Sequence, residues 1–324
     1  MLRRELLLFA GATPFATAAY AQTSESSPFP RRPIRLVVPF PAGSSTDALG
    51  REVGSFMGAS LAQPWIVDNK PGALATLGSA EVARAKPDGY TLLLGTSTSH
   101  AAAPSLFKKL PYDPQRDFTP VGRIGAVNFA LVVRSDHPAK TVDQLLTIGR
   151  RANPKPLTWG YANSANRVAG AELVRYGGFE AVAVPYRGVP QIIVDLLGGQ
   201  IDFTVADLPS VLPQIRAGKM RALAVTSPSP AAELPGTPAL GQLVNGFTLL
   251  GWYALFAPAD TPEPVVKALS EHLLRGLSQA DVRARIEAVG LMPYPADSAE
   301  LRSYVSSETA KWAALVKTAR IEPE

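Results

Sequence analysis

Short apolar runs and segments with helical spacing alternate along the first third of the chain. The runs Ile34 to Pro39, Trp65 to Val67 and Thr91 to Leu94 predict buried strands, because each is short and bounded by turn residues. After the first run, apolar residues recur at helical spacing and predict an amphipathic helix: Leu49, Val53, Phe56, Met57 and Leu61. A second helix is expected from Ala75 to Arg84. This alternation predicts a parallel sheet with right-handed crossovers.

The alternation continues after residue 128. Phe129 to Val133 predicts a longer strand, and Thr141 is placed to cap the helix that follows. More strands are expected at Leu157 to Tyr161, Ala181 to Pro185, Phe203 to Val205, Leu223 to Thr226 and Trp252 to Pro258. Helices are expected from about Val168, from Pro190 to Leu197, and through most of the chain after Pro262.

Two long strands, near residues 129 and 254, are separated by about one domain's length of chain. They predict one crossing out of a first domain and one crossing back. The expected division is therefore domain 1 at residues 30–127 and 251–324, with domain 2 inserted at residues 128–250.

The N-terminus has the pattern of an export signal at residues 1–21. Arg3 and Arg4 precede an apolar stretch, and Ala19-Tyr20-Ala21 is a small-x-small cleavage pattern before Gln22. The paired arginines raise the twin-arginine export route, which Glu5 disfavours, so the general route stays open beside it. The mature chain is expected in the periplasm as a monomer.

Composition narrows the chemistry. With 46% hydrophobic and 18% charged residues, the chain is long enough to bury a large core. It has no cysteine, which excludes disulfides, cysteine catalysis and zinc–thiolate sites. The net charge of +5 includes no basic run with interleaved aromatic residues, so nucleic acid is not an expected partner.

Three polar corners follow predicted strands: PFPAGSSTDALG from residue 39, GTSTSHAAAP from residue 95 and YANSANR from residue 161. In open parallel sheets ligands lie at the carboxyl ends of the strands. Hydroxyls, amides and backbone N–H groups at a helix start suit a carboxylate. The alternative for the first corner is plain capping, by Ser44, Ser45 or Thr46 with Asp47 beside the helix dipole.

An enzyme is the competing interpretation. His100 lies near a candidate serine, and Asp202 and Asp207 flank one strand, so an exported serine-type hydrolase is the alternative. The histidines His100, His137 and His272 share no metal-ligand spacing with another His, Asp or Glu, and no metal site is expected.

The chain resembles the extracytoplasmic solute-binding proteins of the tripartite tricarboxylate transporter system, also called the Bug or TctC-like family. The resemblance rests on RPIRLVVPFPAGSSTD, DNKPGALATLGSAEVARAKPDGYTLLLGTSTSH, SLFKKLPYDPQRDFTPV, VPYRGVPQIIVDLLGGQID and LPSVLPQIRAGKMRALAVTS, and it covers nearly all of the mature chain. It implies a type II periplasmic-binding-protein fold with two α/β domains, two crossover strands and a central ligand cleft. It also implies a carboxylate ligand, no catalysis and no cofactor. Membrane transporter subunits, or a sensor protein in a receptor without transport, are the implied partners.

The resemblance also implies a set of site residues. The first corner is expected to hold the carboxylate through Phe40, Ala42, Gly43, Ser44 and Ser45, and a second loop to contact the far end of the ligand through Thr96, Ser97 and Ser99. The facing corner departs from the family pattern, and its nearest counterparts are Asn163, Ser164 and Ala165, with Tyr161 and Arg167 expected to make direct contacts. Ala206 stands where the family often has an Asp that contacts ligand amino or amide groups, and Asp207 stands where it has Asn. This departure argues against an amino-acid ligand and indicates an altered one.

Overall fold

The computed structural model describes residues 29–152, 155–244 and 246–324. The export signal expected at residues 1–21 therefore lies outside the described residues. In chain order the strands are β1 (Ile34–Val38), β2 (Trp65–Asn69), β3 (Thr91–Thr96), β4 (Phe118–Val127), β5 (Phe129–Arg134), β6 (Leu157–Tyr161), β7 (Ala181–Pro185), β8 (Phe203–Asp207), β9 (Met220–Val225), β10 (Gly251–Pro258) and β11 (Met292–Ala296).

The α-helices lie between and after these strands. They are α1 (Ser45–Leu61), α2 (Thr76–Ala83), α3 (Ala103–Leu106), α4 (Val142–Arg151), α5 (Ser164–Gly177), α6 (Val189–Leu197), α7 (Leu208–Arg216), α8 (Glu263–Ser278), α9 (Ala280–Ala288) and α10 (Ser298–Thr318). A π-helical turn spans Thr98–Ala102, and a short 3₁₀ turn spans Leu240–Gln242. No helix among the described residues is long and apolar enough to cross a membrane.

The strands form two mixed sheets. The order in the first is β11-β4-β10-β3-β1-β2, and the order in the second is β7-β6-β8-β5-β9. The parallel pairing predicted from the alternation is present in β2-β1-β3 and in β7-β6-β8. Each sheet also contains a reversed strand that the alternation did not predict: β10 runs antiparallel to both β3 and β4, and β5 to both β8 and β9. Each of these reversed strands enters its sheet from a crossing and not from a helical connection.

The two crossings lie side by side and are joined at Asn128. Only this residue separates β4 in the first sheet from β5 in the second. Its Oδ1 accepts hydrogen bonds from the N–H groups of Phe129 at 2.8 Å and Ser227 at 3.0 Å, and its Nδ2 donates to Ser227 Oγ at 2.7 Å. The chain that leaves the first sheet is therefore tied to the end of β9, where the carbonyl of Thr226 accepts a hydrogen bond at 2.9 Å from the N–H of Leu249, just before β10. Directly after Ser227 the chain enters the Pro-rich loop of residues 228–238, most of which is exposed.

The helical face predicted for α1 is confirmed. Leu49, Val53, Phe56, Met57 and Leu61 are all buried, and they belong to the main apolar core together with the inner strands of the first sheet. Thr141 caps α4 as predicted, since its Oγ1 accepts a hydrogen bond from the N–H of Gln144 at 3.3 Å. A separate apolar cluster, which includes Ala206, lies on the other side of the second sheet.

Several elements differ from the predictions. The polar run after β3 was expected as a loop, yet it is buried and forms the π-helical turn. Helix α5 begins at Ser164 and not near Val168, because Asn163 caps it. The strands β4 and β11 and the helix α7 were not predicted, and each of them contains a proline that obscures its periodicity: Pro120, Pro293 and Pro213 are examples.

Candidate functional site

The first corner, between β1 and α1, is shaped by Asp47. Its carboxylate accepts hydrogen bonds from the N–H of Gly43 at 3.0 Å, from Asn69 Nδ2 at 3.0 Å and from Arg51 Nε at 3.1 Å. Gly43 has a φ of +80°, which other residues adopt only with strain. Ser44 is the N-cap of α1, and its Oγ accepts from the N–H of Asp47 at 3.2 Å. The corner is thus a rigid, self-bonded turn.

This bonding changes which donors are left for a ligand. The N–H groups of Gly43 and Ser44 already donate to Asp47 and to the carbonyl of Pro41. The N–H groups of Ser45 and Thr46, in the first turn of α1, have no acceptor among the described residues. Of the predicted residues at this corner Ser45 keeps a free N–H group, and Thr46, which was not predicted, adds another. Ala42 and Gly43 are exposed at the outer side of the corner.

The facing corner is the start of α5. The Oδ1 atom of Asn163 accepts from the N–H of Asn166 at 2.9 Å, and Asn166 accepts in turn from the N–H of Ala162 at 3.1 Å. Asn166 Nδ2 also donates to the carbonyl of Val205 at 2.7 Å, which fixes α5 on β8. Both side-chain amides therefore hold the start of the helix. The N–H of Ala165 has no acceptor among the described residues.

The two corners touch through the turn after β3. Thr98 Oγ1 lies 2.9 Å from Ser164 Oγ and accepts from the N–H of Ser164 at 3.3 Å. Another close approach is at Gly188, where a Cβ atom would lie 2.5 Å from Pro41 Cγ. Residues carried by the first sheet and residues carried by the second are thus in direct contact.

Ser99 and His100 lie beneath this turn in the core. Ser99 Oγ is 2.9 Å from His100 Nδ1, but both residues are fully buried, and the His100 ring stacks on Phe256 at a centroid distance of 3.8 Å. Burial lowers the pKa of His100 to about 3. An imidazole in this position is a poor general base near neutral pH. Ser99, predicted to contact a ligand, instead donates to the carbonyl of Thr96 at 3.2 Å.

A first cavity lies between the two helix starts and has a volume of about 30 Å³. This is close to the share of liquid volume that one water molecule takes. Polar residues of the three corners line it, together with Asp207 and the crossing strands, and they are Ser44, Ser45, Thr46, Thr96, Ser97, Thr98, Asn163 and Asp207. The apolar walls are Phe40, Val127, Phe129, Ala162, Ala165, Val189, Gly251, Trp252 and Tyr253.

Sequence reasoning missed the contribution of the crossing strands to this cavity. Val127 and Phe129 lie on either side of the first crossing, and Gly251, Trp252 and Tyr253 begin the strand that returns. This contribution could have been predicted from the sequence, because a strand that passes between two domains must run beneath the cleft between them. Tyr253 OH lies 3.5 Å from Ser45 Oγ, which brings a phenol to the first corner.

Among the described residues that line the first cavity, Asp207 is the one that carries a charge. It ends β8 and is only 4% exposed. Ser210 Oγ donates to Asp207 Oδ2, and no lysine, arginine or histidine of the described chain forms an ion pair with this carboxylate. Burial raises the pKa of Asp207 above the ordinary aspartate range, against hydrogen bonds from Ser210 and Ser45 that lower it. Ala206, next to it, points into the apolar cluster instead.

A second cavity of about 260 Å³ adjoins the first, since Phe40 and Ala162 line both. Tyr161 lines it, with Tyr186, Arg187 and Glu324 as its polar groups. The opposite wall is the segment of residues 72–75, in which Ala73, Leu74 and Ala75 have φ values of 45°, 48° and 69°. Three consecutive left-handed residues other than glycine are strained, and such strain persists where the surrounding structure holds it.

Arg167 lines neither of these two cavities. Its Nη1 lies 2.6 Å from a side-chain oxygen of Glu324, and its guanidinium carbon is 5.5 Å from the ring centre of Tyr161. The structure therefore brings nine of the sequence-predicted residues into the walls of the two cavities: Phe40, Ser44, Ser45, Thr96, Ser97, Tyr161, Asn163, Ala165 and Asp207. Ser164 lies outside those walls and contacts Thr98, which lines the first cavity. Ala42, Gly43, Ser99 and Arg167 also lie outside the walls.

Two α/β lobes, joined by two adjacent crossings and facing each other across a small cavity, define a two-domain solute-binding protein of the Venus-flytrap type. Residues 49–321 match the model of the tripartite tricarboxylate transporter family receptor, TctC. Protein BugT of Bordetella pertussis is 32% identical over 308 residues, which are 93% of this chain and 94% of BugT. The chain belongs to this receptor family, which is one of solute-binding proteins.

Solved structures agree with this assignment. The periplasmic binding protein BugD is 33% identical, with a TM-score of 0.86 over 91% of this chain and 100% of BugD. An R. palustris protein with adipate is 30% identical, with a TM-score of 0.87 over 92% of this chain and 100% of that protein. MatC from Rhodopseudomonas palustris, with bound malate, is 30% identical, with a TM-score of 0.81 over 89% of this chain and 100% of MatC.

Proposed function

We propose that this protein is a periplasmic receptor that captures a small carboxylate in the cleft between its two sheets and delivers it to membrane transporter subunits. The observation that carries the proposal is the pair of helix starts at the first cavity. The free N–H groups of Ser45 and Thr46 on α1 and of Ala165 on α5 converge there. Helix N-termini favour anions through these donors and through the helix dipole.

The solved relatives support the choice of anion, because two of them contain adipate and malate. We assign domain 1 to residues 30–127 and 251–324 and domain 2 to residues 128–250, so that each sheet forms the centre of one domain. The ligand then contacts both domains and favours the closed form over the open one. Binding without turnover is the proposed activity, and the buried, weakly basic His100 gives the hydrolase alternative no support.

The test of carboxylate capture removes the backbone N–H group of Ser45 in one variant and only its side-chain hydroxyl in another. Ser45 is the first residue of α1, where proline keeps the helix but removes the N–H group. Ser45→Ala is the matched control, because it removes only the hydroxyl. We expect Ser45→Pro to bind carboxylates about tenfold or more weakly than Ser45→Ala, as for a lost hydrogen bond to a charged group.

The measurement is calorimetric titration of both variants and the native protein with adipate and malate, with the dimethyl esters as uncharged controls. Native protein should bind the acids and not the esters, and saturating acid should raise the Tm. Equal affinities for acid and ester, or for the two Ser45 variants, would contradict capture at the α1 start.

A further inference from the structure

One wall of the second cavity is a short loop, residues 72–75, on the lobe of the first sheet. All four of its residues have positive φ, and three of them, Ala73, Leu74 and Ala75, carry a Cβ atom. Such residues adopt this conformation only at a cost, and backbone strain of this kind clusters at ligand clamps, where the surrounding structure maintains it. The strain directs attention to what the loop places in the cavity wall.

Hydrogen bonds fix the loop on both sides of Leu74. The carbonyl of Ala73 accepts from the N–H of Thr76 at 3.1 Å, and the carbonyl of Ala75 accepts from Ser79 Oγ at 2.9 Å. The Leu74 side chain is half-buried and packs against the main apolar core. Of the four loop residues, Leu74 alone has a large side chain, so it supplies the bulk of this wall.

The opposite wall is also fixed, on the lobe of the second sheet. Tyr161 ends β6, and its carbonyl accepts from the N–H of Tyr186 at 2.9 Å. Tyr186 OH donates to Asp195 Oδ2 at 2.7 Å, which holds the phenol against α6. Because both walls are held by hydrogen bonds, the space between them depends on the size of the side chain at position 74.

We infer that Leu74 limits the length of the ligand that this receptor binds, by closing the second cavity with its side chain. The inference rests on the proposed function, in which the helix starts hold one carboxylate at the first cavity. That cavity, of about 30 Å³, holds only the head of a ligand, so the rest extends past Phe40 and Ala162 into the second cavity of about 260 Å³. A ligand that reaches Leu74 cannot be lengthened without displacing packed side chains.

The test is calorimetric titration of the mature protein with straight-chain dicarboxylic acids of increasing length: succinate, adipate, suberate and sebacate. In native protein the affinity should pass through a maximum and fall about tenfold or more by sebacate. Leu74→Ala should raise the affinity for sebacate, relative to the acid that native protein binds best, by about tenfold or more. This is the gain expected when a further pair of methylene groups is buried.

Two further variants assign the effect to the Leu74 side chain. Leu74→Gly vacates the same space and also relieves the backbone strain, so it should produce the same shift as Leu74→Ala. Leu77→Ala is the matched control, because Leu77 is exposed on α2 and lines neither cavity. It should leave the length preference unchanged. Each preference is a ratio of affinities within one variant, so a general loss of affinity or stability does not imitate the shift.

The outcomes separate this inference from the function on which it rests. The inference is overturned, and carboxylate capture stands, if the length preference of Leu74→Ala stays within about threefold of the native preference. A shift in Leu74→Gly alone, an equal shift in Leu77→Ala, or a native affinity that still rises at sebacate would overturn it too. If native protein binds none of the four acids, the proposed function is overturned as well.

Discussion

The side chain of Asp47 organises the first corner, although in sequence it resembles an ordinary acidic residue at a helix start. Burial alone would raise the pKa of Asp47, but hydrogen bonds from Gly43, Arg51 and Asn69 outweigh burial and lower the pKa. A carboxyl whose pKa is lower in the folded state contributes stability above its ordinary pKa. That contribution is lost as the pH falls through the lower, folded value.

Asp47→Ala should therefore destabilise the protein by about 2–3 kcal/mol at pH 7, since it removes a buried carboxylate that accepts hydrogen bonds from Gly43, Arg51 and Asn69. Urea unfolding at pH 7 and at decreasing pH measures this difference. The gap between native protein and variant should begin to shrink below about pH 4. Asp143→Ala is the control, because Asp143 is an exposed first-turn residue of α4. A loss as small as that of the control would show that Asp47 does not hold the corner.

Individual residues show which features of this site could be predicted from the sequence and which could not. The polar character of the three corners predicted a cleft for an anion, and nine of the predicted residues border the two cavities. The direction of each donor was not predictable, because the N–H groups of Gly43 and Ser164 are used within the protein. The ion pair between Arg167 and Glu324 was not predictable either, because the two residues lie far apart in sequence and no local pattern indicates that they pair.

The segment at residues 72–75 has a left-handed backbone conformation that its residues Ala73, Leu74 and Ala75 disfavour, because each has a Cβ atom. Left-handed conformation costs a residue with a Cβ atom roughly 1–2 kcal/mol, and glycine avoids most of that cost. Ala73 is exposed, so replacing it changes the backbone energy and little else.

Ala73→Gly should accordingly be neutral or stabilising by up to about 1 kcal/mol, since the gain in the folded state is partly offset by the freer unfolded chain. Ala59→Gly is the matched control, because Ala59 is exposed within α1 and should lose about 1 kcal/mol. Thermal unfolding of both variants measures the contrast. Equal destabilisation by the two substitutions would argue against the left-handed segment.

Elements with clear periodicity were predictable, and those with prolines or polar caps were not. The five buried apolar residues of α1 follow directly from its spacing. The start of α5 was predicted four residues late because Asn and Ser are typical of loops, yet here Asn163 and Asn166 cap the helix. In β4, Pro120 and two glycines mask a ten-residue strand whose place between β10 and β11 depends on tertiary pairing.

At the scale of the whole molecule, the two lobes are in direct contact. Contacts between the two lobes include Thr98 with Ser164, Pro41 with Gly188, and the ion pair of Arg167 with Glu324. The ion pair is the one among these three that ionic strength weakens, because Glu324 is partly exposed.

Glu324→Gln should shift the ligand-free protein towards the open form. An ion pair with one exposed partner is worth at most about 1 kcal/mol, so the open fraction should rise by up to about fivefold. Small-angle X-ray scattering measures the shift as a larger radius of gyration, and added salt should produce the same shift in native protein. Glu322→Gln is the control, since Glu322 is exposed and forms no ion pair within the described residues. Identical scattering from both variants would contradict a role for the pair in closure.

The overall topology was predictable because it depends on chain order. An excursion from one sheet into a second and back leaves two long strands at its borders, and these are visible as apolar runs near residues 129 and 254. The alternation of strands and helices did not predict that both sheets are mixed. The strands β5 and β10 run antiparallel to their neighbours because each lies where the chain passes from one sheet to the other.

The hydrogen-bonded junction at Asn128 also suits the protein to conversion into an optical sensor. Asn128 holds Ser227 at the passage from the first sheet to the second, and the exposed loop of residues 228–238 begins at the next residue. A circularly permuted fluorescent protein inserted in that loop would be attached beside this passage, where lobe rotation strains its linkers. Brightness would then report occupancy of the cleft, while both cavity walls remain unmodified.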